Sequence, residues 1–379
     1  MRKYTSLIVA ALFVFSAYAE NNMQSRVETL EKQMREAGSK TAFDGYGAHM
    51  ANARPSKEDS NWFIKGGLLY MRPNVGGTEF AFTSATPTLT YPISGSTKKI
   101  DFDTSVGFTV GLGYNFNFDG WDIQSNYARL SSGGSKSASV NCNGVVIPLR
   151  AAICPFPEDT VQQSSFWATR AKSKYNIEYN TVDLQMGRSY FLSSTLSMRP
   201  SFGIKAAFID LKQATRYCGG SDDHDDVFCD VQMISLGSDV LSIRETSDFS
   251  GIGPEVSMQS KWFLGKGFSF FAEALGALLY GYFDVDRNEK LNSNDTSRID
   301  LSANTHRLVP MAQLQSGVAY DIFFDDDHQH IGFRFGYDVQ YYWRINQMIE
   351  IYNPSTLRMD RYSEDFSLHG LLFDIRWDF

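Results

Sequence analysis

From residue 61 to the last residue, apolar side chains alternate with small or polar ones at a period of two. Successive side chains of a β-strand point to opposite faces, so this period predicts strands that have one apolar and one polar face. The clearest stretch is Ser105 to Phe116, whose apolar members are Val106, Phe108, Val110, Leu112, Tyr114 and Phe116. We therefore predict an all-β fold whose apolar face meets either a protein core or lipid.

The lengths and connections of these segments favour lipid. Several exceed the five or six residues usual in soluble sheets, and a membrane-crossing strand needs about 9 to 11. The segments are 61–72, 104–116, 121–131, 174–188, 195–211, 248–262, 268–283, 305–322, 330–344 and 366–379. Short connections (117–120, 189–194, 263–267, 323–329) alternate with long ones (73–103, 132–173, 212–247, 284–304, 345–365). This alternation predicts a transmembrane up-and-down antiparallel β-barrel with short periplasmic turns and long external loops.

The predicted barrel has at least ten strands, and a count of twelve or more stays open because 75–93, 140–149 and 231–245 could each add strand. Aromatic residues support a membrane location, since they gather near strand ends, where a girdle crosses the membrane interfaces. The core of a soluble sandwich would not collect them there. These aromatics are Trp62, Tyr70, Phe116, Trp121, Trp262, Tyr280, Tyr282, Tyr341, Trp343 and Trp377.

The first 60 residues divide into three segments. Residues 1–19 read as a secretory signal peptide cleaved after Ala19, because a basic start precedes an apolar run and a small-residue cleavage pattern. Residues 20–40 show the spacing of a short amphipathic or coiled-coil helix, either a self-associating segment or a helix without a partner. Residues 41–60 read as a linker, and 61–379 as the barrel. The formal charge of −8 argues against nucleic-acid binding.

The four cysteines form two local pairs in an exported chain, Cys142 with Cys154 and Cys218 with Cys229. Two disulfides in external loops are the natural interpretation, although spacing alone leaves other connectivities open. Two acidic histidine clusters, 222–226 and 325–330, lack the spacing of a defined ligand set and are interpreted as solvated turns. We predict neither a metal nor a cofactor.

The last strand ends on an aromatic residue that is in phase with its apolar face. That face holds Leu371, Phe373, Ile375, Trp377 and Phe379. Such an ending looks like the assembly signal of bacterial outer-membrane proteins, which the barrel-insertion machinery reads. We assign this role to Phe373, Ile375, Trp377 and Phe379.

Several stretches, taken in their common order, resemble one family. They are 196–210, 249–254 followed by 262–265, 336–343 and 369–371. The chain is similar over these stretches to the major outer membrane proteins of the Legionella type, which also occur in environmental relatives of the chlamydiae. The resemblance implies a porin-like outer-membrane barrel, often oligomeric. The loops 132–173 and 212–247 match nothing in that family.

If the apolar face meets lipid, the other face lines the lumen. Charged residues on the lipid face near the membrane centre would cost about 2 to 4 kcal/mol for Arg or Lys, so they should point inward. An open pore and a closed lumen in which the groups pair are both compatible with ten strands. The predicted lumen residues are Lys65, Asp122, Gln124, Asn126, Glu178, Arg199, Lys205, Glu255, Gln259, Lys261, Glu273, Arg334, Asp338, Gln340, Asp374 and Arg376.

One segment breaks its own alternation. Tyr175, Ile177 and Tyr179 are odd-numbered, whereas Val182, Leu184 and Met186 are even-numbered. A β-bulge near Thr181 would restore a single apolar face, and a misplaced boundary is the other explanation.

These patterns predict a porin-like protein of the bacterial outer membrane that lets small hydrophilic solutes diffuse passively. The alternative is a closed barrel that acts as a structural protein or as an adhesin through its loops. We expect no enzymatic activity, because no nucleophile elbow or nucleotide motif is present; a hydrolase is the third possibility. The expected partners are outer-membrane lipid, lipopolysaccharide, the barrel-insertion machinery and a second copy through 20–40.

Overall fold

The structure is a computed structural model, and it describes part of the chain. The described residues are 61–84, 94–116, 120–140, 144–152, 166–219, 234–235, 240–291, 296–324, 329–353 and 358–379. The predicted signal peptide, helix and linker lie outside them, as do Cys142, Cys154, Cys229 and the cluster at 222–226. Among the described residues, no helix is long and apolar enough to cross a lipid bilayer.

Ten long strands form a closed antiparallel barrel. Each pairs with its neighbours in sequence, and pairing of the first strand with the last closes the ring. This confirms the all-β barrel and fixes its strand number at ten. The strands are β1 (Asn61–Val75), β2 (Ser105–Asn115), β3 (Trp121–Ser139), β4 (Arg170–Arg188), β5 (Leu196–Cys218), β6 (Val240–Gly265), β7 (Phe268–Leu291), β8 (Thr296–Phe324), β9 (Gln329–Asn346) and β10 (Glu364–Asp378).

Most of the additional strand that the sequence left open lies outside the barrel, and residues 240–245 extend the barrel strand β6. Glu79–Ser84, Ser96–Lys99 and Val145–Pro148 form a three-stranded sheet within the β1–β2 and β3–β4 connections. Short two-stranded pairings join Phe166–Trp167 to Ile234–Ser235 and Ile349–Asn353 to Arg358–Arg361. Tyr190–Ser193 pairs with the start of β5. A barrel of twelve or more strands is therefore wrong.

The barrel has two different ends. The start of β1 and the end of β10 lie together at one end, which we call the terminal end, along with the short turns. The tightest of these turns joins β6 to β7, where Gly265, Lys266 and Gly267 all have positive φ angles. The longer connections lie at the opposite, distal end.

The outward face changes character along the barrel axis. In the terminal half, large apolar side chains are exposed on the outside of every strand except β3, from the level of Trp62 and Trp377 to that of Tyr70 and Tyr280. We call this band the apolar belt. In the distal half the outward residues are polar, as with Asp284 on β7. Members of the belt include Ile64, Leu68, Leu112, Leu184, Phe202, Ile204, Ile252, Val256, Leu314, Val318, Phe335 and Ile375.

The inward face changes in the opposite sense, because the distal half has an apolar interior. Leu69, Ile209, Phe249, Leu279 and Phe366 are all buried there. The alternation of the strands that span both halves therefore inverts at the boundary between them. The same backbone pleat continues, but the apolar residues move from the outer to the inner face.

This inversion explains three differences from the sequence prediction. The predicted strands agree with the structure to within three residues at the terminal end, but they are up to nine residues too short at the distal end. The predicted long loop 284–304 is largely strand, since only residues 292–295 separate β7 from β8. The predicted bulge near Thr181 is wrong, because β4 pairs with both neighbours without a register shift.

Candidate functional site

The barrel lumen contains the predicted site residues. Fifteen of the sixteen predicted side chains lie on the inward face, and all of these except Glu255 line one of two adjoining polar cavities of about 110 Å³ each. Glu255 is buried beside Lys205. The prediction for Glu178 is wrong, because without a bulge the even-numbered residues of β4 point outward. It stays a prediction that these fifteen residues line a conducting pore.

At the terminal end, ion pairs reach across intervening strands. Arg199 on β5 donates from Nε to Asp122 Oδ2 on β3 at 2.8 Å, and passes over Gly187 on β4. A Cβ atom at position 187 would lie 2.6 Å from the Arg199 guanidinium carbon, so glycine is what allows this pair. Arg334 and Asp374 pair at 2.7 Å between the adjacent strands β9 and β10.

His330 links three strand ends at the terminal end. Its Nδ1 lies 2.7 Å from Asp378 Oδ2 on β10, and its Nε2 lies 2.9 Å from Asp321 Oδ1 on β8. Lys261 also pairs with Asp321 at 2.6 Å, and Arg376 contacts Asp378. Both carboxylates are thus balanced by cations. The expectation that 325–330 forms a solvated turn is wrong for its last residue, because His330 is buried.

The next layer toward the distal end mixes charges with amides. Lys205 Nζ lies 3.4 Å from Asp183 Oδ2 and 3.9 Å from Glu255 Oε2. Lys65 donates to the side-chain oxygen of Gln124. Paired opposite charges across a low-dielectric lumen hold their side chains in place instead of leaving them free to move with solvent.

Above this layer, side chains from opposite walls meet directly. Tyr179 on β4 donates a hydrogen bond from its hydroxyl to Gln340 Oε1 on β9 at 2.5 Å, and its oxygen lies 2.9 Å from the Tyr342 hydroxyl. In a ring of ten strands, β4 and β9 are five positions apart and therefore face each other across the lumen. Gln340 in turn donates to Asp338 Oδ2 at 2.9 Å. We call this contact the tyrosine bridge.

The distal half above the tyrosine bridge is filled. Its interior is a continuous apolar core in which Phe249 and Phe283 pack with ring centroids 4.7 Å apart. Segments of the distal connections insert into it: Phe102 packs on Tyr175 at 5.4 Å, and Phe80 is fully buried. Burial raises the pKa of the Tyr175 hydroxyl above its usual value, which fits a dry interior.

A buried charge cluster fixes these segments to the barrel wall. Arg150 contacts the Glu245 carboxylate at 3.3 Å and also donates to the Gly77 carbonyl oxygen. Arg287 donates to Glu245 at 3.0 Å and to the Ile349 carbonyl oxygen at 2.7 Å. The two arginines and Glu245 are almost fully buried. We call Arg150, Glu245, Arg287 and Glu289 the latch cluster.

Glu289 completes the latch cluster at 3.4 Å from Arg287. Burial raises the pKa of its carboxyl group, and Arg287 opposes that rise. Two guanidinium groups thus face two carboxyl groups in a site without solvent. Removing one member would leave a charge buried without its partner.

The sequence analysis missed several residues that shape the lumen. Tyr179 and Tyr342 were not predicted because apolar residues were assigned to the lipid face, although the even spacing from Thr181 and Gln340 places them inward. Arg150, Glu245 and Arg287 lay in segments that were predicted to be loops. In the two-residue alternation, His330 lies on the same face as Arg334, and Asp378 lies on the same face as Asp374. This shared face is the signal that could have identified His330 and Asp378.

Cys218 ends β5 at the distal end. Its predicted partner, like the other two cysteines, lies outside the described residues, so the disulfides stay a prediction. Phe373, Ile375, Trp377 and Phe379 are exposed on the outer wall beside β1. Their predicted role in assembly is a property of the folding pathway and also stays a prediction.

Three comparisons with known proteins bear on this barrel. The family described as Legionella pneumophila major outer membrane protein precursor matches residues 54–379. No curated protein matches the sequence.

Similar solved structures include the outer membrane protease OmpT of Escherichia coli, at 8% identity and a TM-score of 0.40, covering 84% of this chain and 97% of that one. A Pseudomonas aeruginosa FadL homologue is 8% identical with a TM-score of 0.24, covering 87% and 92%. The attachment invasion locus protein Ail of Yersinia pestis is 12% identical with a TM-score of 0.23, covering 67% and 97%. These scores are too low to carry a functional argument.

The family match extends over nearly all of the barrel and agrees with a belt of exposed apolar side chains around a closed ring of strands. The chain therefore belongs to the family of the Legionella pneumophila major outer membrane protein and is a β-barrel protein of the bacterial outer membrane.

Proposed function

We propose that this protein is a closed outer-membrane barrel with a structural role, and that it acts on its surroundings through its external face. Both chain termini of a barrel with an even strand number lie on the periplasmic side, so the terminal end is periplasmic and the distal end external. The apolar belt then lies in the lipid bilayer. The distal half projects from the membrane and carries the connections that meet the outside.

The tyrosine bridge is the observation that carries this proposal. A direct hydrogen bond between opposite walls obstructs axial passage at that level, and the apolar core continues beyond it. The polar cavities therefore form a blind well that ends at the bridge. Opening a passage would require the buried core and the latch cluster to separate, which costs the burial of several large side chains.

Two measurements test the closed state. The chain without residues 1–19, refolded and shown to be a barrel by its heat-modifiable gel mobility, should give no discrete conductance steps in a planar bilayer. Tyr179→Ala should also stay closed, since the apolar core remains above it. Discrete steps from the unchanged chain would overturn the proposal.

Deletion of the gene distinguishes the structural role from transport, because each role predicts a change in a different uptake measurement. Loss of a structural barrel should weaken the outer membrane and increase entry of a hydrophobic dye. Loss of a diffusion pore should instead slow uptake of a small hydrophilic solute and leave dye entry unchanged. Attachment of cells to a surface, compared between intact and loop-deleted protein, tests the adhesive form of the proposal.

The second candidate is passive diffusion of small hydrophilic solutes, as the sequence predicted. Fourteen of the predicted pore-lining residues line the two polar cavities, and this observation favours it. It requires a second state in which the tyrosine bridge and the apolar core move apart. If conductance steps are recorded, reversing the charge of Lys205 or Glu255 should alter their ion preference, since both lie on the inward face.

A further inference from the structure

One side of the distal half carries a concentration of positive charge on its outer surface. Lys172 and Lys174 on β4, Lys212 and Arg216 on β5, and Arg244 on β6 are all exposed there. We call these five residues the basic patch. Adjacent strands place them together: Arg216 pairs directly with Lys172, while Ala214 pairs with both Lys174 and Arg244.

The patch is not balanced by its described surroundings. Within the part of the chain that the structure describes, one ion pair reaches it, from Lys212 to Asp210 at 4.0 Å. Like charges directly opposite each other on neighbouring strands destabilise a sheet. Lys172 and Arg216 are such a pair, so an external anion would relieve a repulsion that is built into the fold.

The neighbouring strands β7 and β8 carry charge of the opposite sign. Asp284 and Asp286 on β7 and Asp300 on β8 are exposed at a comparable height. The basic patch is therefore a local feature of β4 to β6, not a general property of the outer surface.

The height of the basic patch above the membrane determines which anionic groups can reach it. Phe208 is the last lipid-facing residue of β5, and Lys212 and Arg216 follow it by four and eight residues. At about 3.4 Å per residue and a strand tilt of about 40°, these side chains lie roughly 10 and 20 Å above the belt. The headgroup layer of a bilayer is only about 5 to 8 Å deep on each side. Phospholipid phosphates are therefore too low to reach most of the patch.

We propose that the basic patch binds the phosphate groups on the saccharide headgroup of lipopolysaccharide in the external leaflet. Acyl chains would lie against Val182, Leu184, Ile204 and Phe208 below the patch, while the phosphorylated sugars rise alongside β4 to β6. Lysine and arginine side chains form charge-assisted hydrogen bonds to phosphate oxygens. The serine hydroxyls of Ser135 and Ser137, which pair with Lys174 and Lys172, add neutral donors at the same height.

A binding measurement with two forms of one lipid tests the site. The refolded full barrel in detergent is titrated with purified lipopolysaccharide, and with the same material after chemical removal of its phosphates. The variant Lys172→Gln/Arg216→Gln is compared with Arg72→Gln/Lys99→Gln, which loses the same charges from exposed positions on another side. Gel mobility after heating confirms that each variant is folded.

We expect the unchanged barrel to bind the phosphorylated form at least about tenfold more tightly than the dephosphorylated form, with an affinity that falls as salt rises. The patch variant should lose about tenfold in affinity, whereas the control variant should stay within about twofold. Equal binding of the two lipid forms, or equal losses in the two variants, would overturn the proposal.

Two further outcomes would also overturn it. If mass measurement shows that the patch variant dissociates an oligomer and lipid binding is unchanged, a second copy of the chain occupies the patch through its acidic side. If the unchanged barrel binds no lipid until Asp222, Asp223, Asp225 and Asp226 are replaced by Asn, the chain covers the patch with its own acidic loop.

Discussion

The terminal and distal halves of this barrel share nine continuous strands, all except the short β2, but differ in where their apolar surface lies. In the terminal half, the apolar side chains face lipid and the interior holds charges and amides. In the distal half, the outer face is polar and the interior is an apolar core. The same barrel backbone thus presents an apolar outer face to lipid in one half and a polar outer face to water in the other. The side-chain pattern inverts between the two.

The inversion means that the two halves are stabilised differently. The distal half resembles a water-soluble barrel, held by a packed interior and by the latch cluster. The terminal half gains little from its interior ion pairs, because burying two charges costs about as much as their attraction returns. It depends instead on the surrounding lipid and on closure of the backbone ladder. The same kind of substitution should therefore change the free energy of unfolding by different amounts in the two halves.

The largest effect is expected from breaking the latch cluster of the distal half. Glu245→Gln leaves Arg150 and Arg287 buried with one carboxyl group fewer. Removing one partner of a buried pair costs about 3 to 5 kcal/mol. We expect unfolding by denaturant to show a loss of this size, together with faster proteolysis of the external segments.

Glu178→Gln provides the matched control for this prediction, since Glu178 is exposed on the outer face of the same half. Its effect on the free energy of unfolding should be within about 0.5 kcal/mol. A loss for Glu245→Gln no larger than that of the control would show that the distal core, and not the latch cluster, holds the external segments in place.

The next largest effect is expected from placing a charge on the outer wall of the terminal half. Ile204 lies in the apolar belt, and Ile204→Arg places a guanidinium group against lipid near the membrane centre. The expected cost is about 2 to 4 kcal/mol. Asn304→Arg makes the same addition on the polar outer face of β8, where the change should stay within about 0.5 kcal/mol. Equal costs, measured by unfolding in lipid vesicles, would place the membrane boundary elsewhere.

How far the sequence predicted this fold depends on the half. In the terminal half, the lipid-facing alternation of segments such as 105–116 predicted the strands and the inward residues from Lys65 to Arg376. In the distal half the apolar residues lie on the inner face of the strands. An interpretation that expects apolar residues on the outer face therefore mistakes this part of a strand for a loop or a bulge. Tyr175 and Ile177 caused that error on β4, and 284–304 was taken for a loop for the same reason.

The candidate site was predictable only as a set of inward positions. Phase alone indicates that Lys205 and Glu255 face the lumen, but not that they lie 3.9 Å apart. The tyrosine bridge brings together two aromatic side chains, Tyr179 and Tyr342, from opposite walls. Such a contact depends on strand number and stagger, which a sequence pattern does not specify.

The smallest expected effect concerns the boundary between the halves, where Asp210, Asp248 and Asp284 are paired in a row across β5, β6 and β7. Burial, and then the charge of Asp210, raises the pKa of the Asp248 carboxyl. Folding therefore favours the protonated acid, so this contribution to stability is present below the usual pKa of aspartate and is lost as pH rises through the raised value. Asp248→Asn should make the barrel slightly more stable at pH 7 and leave it unchanged at pH 3, as measured by denaturant unfolding. A gain for Asp248→Asn that persists at pH 3 would mean that packing, not charge, sets its cost.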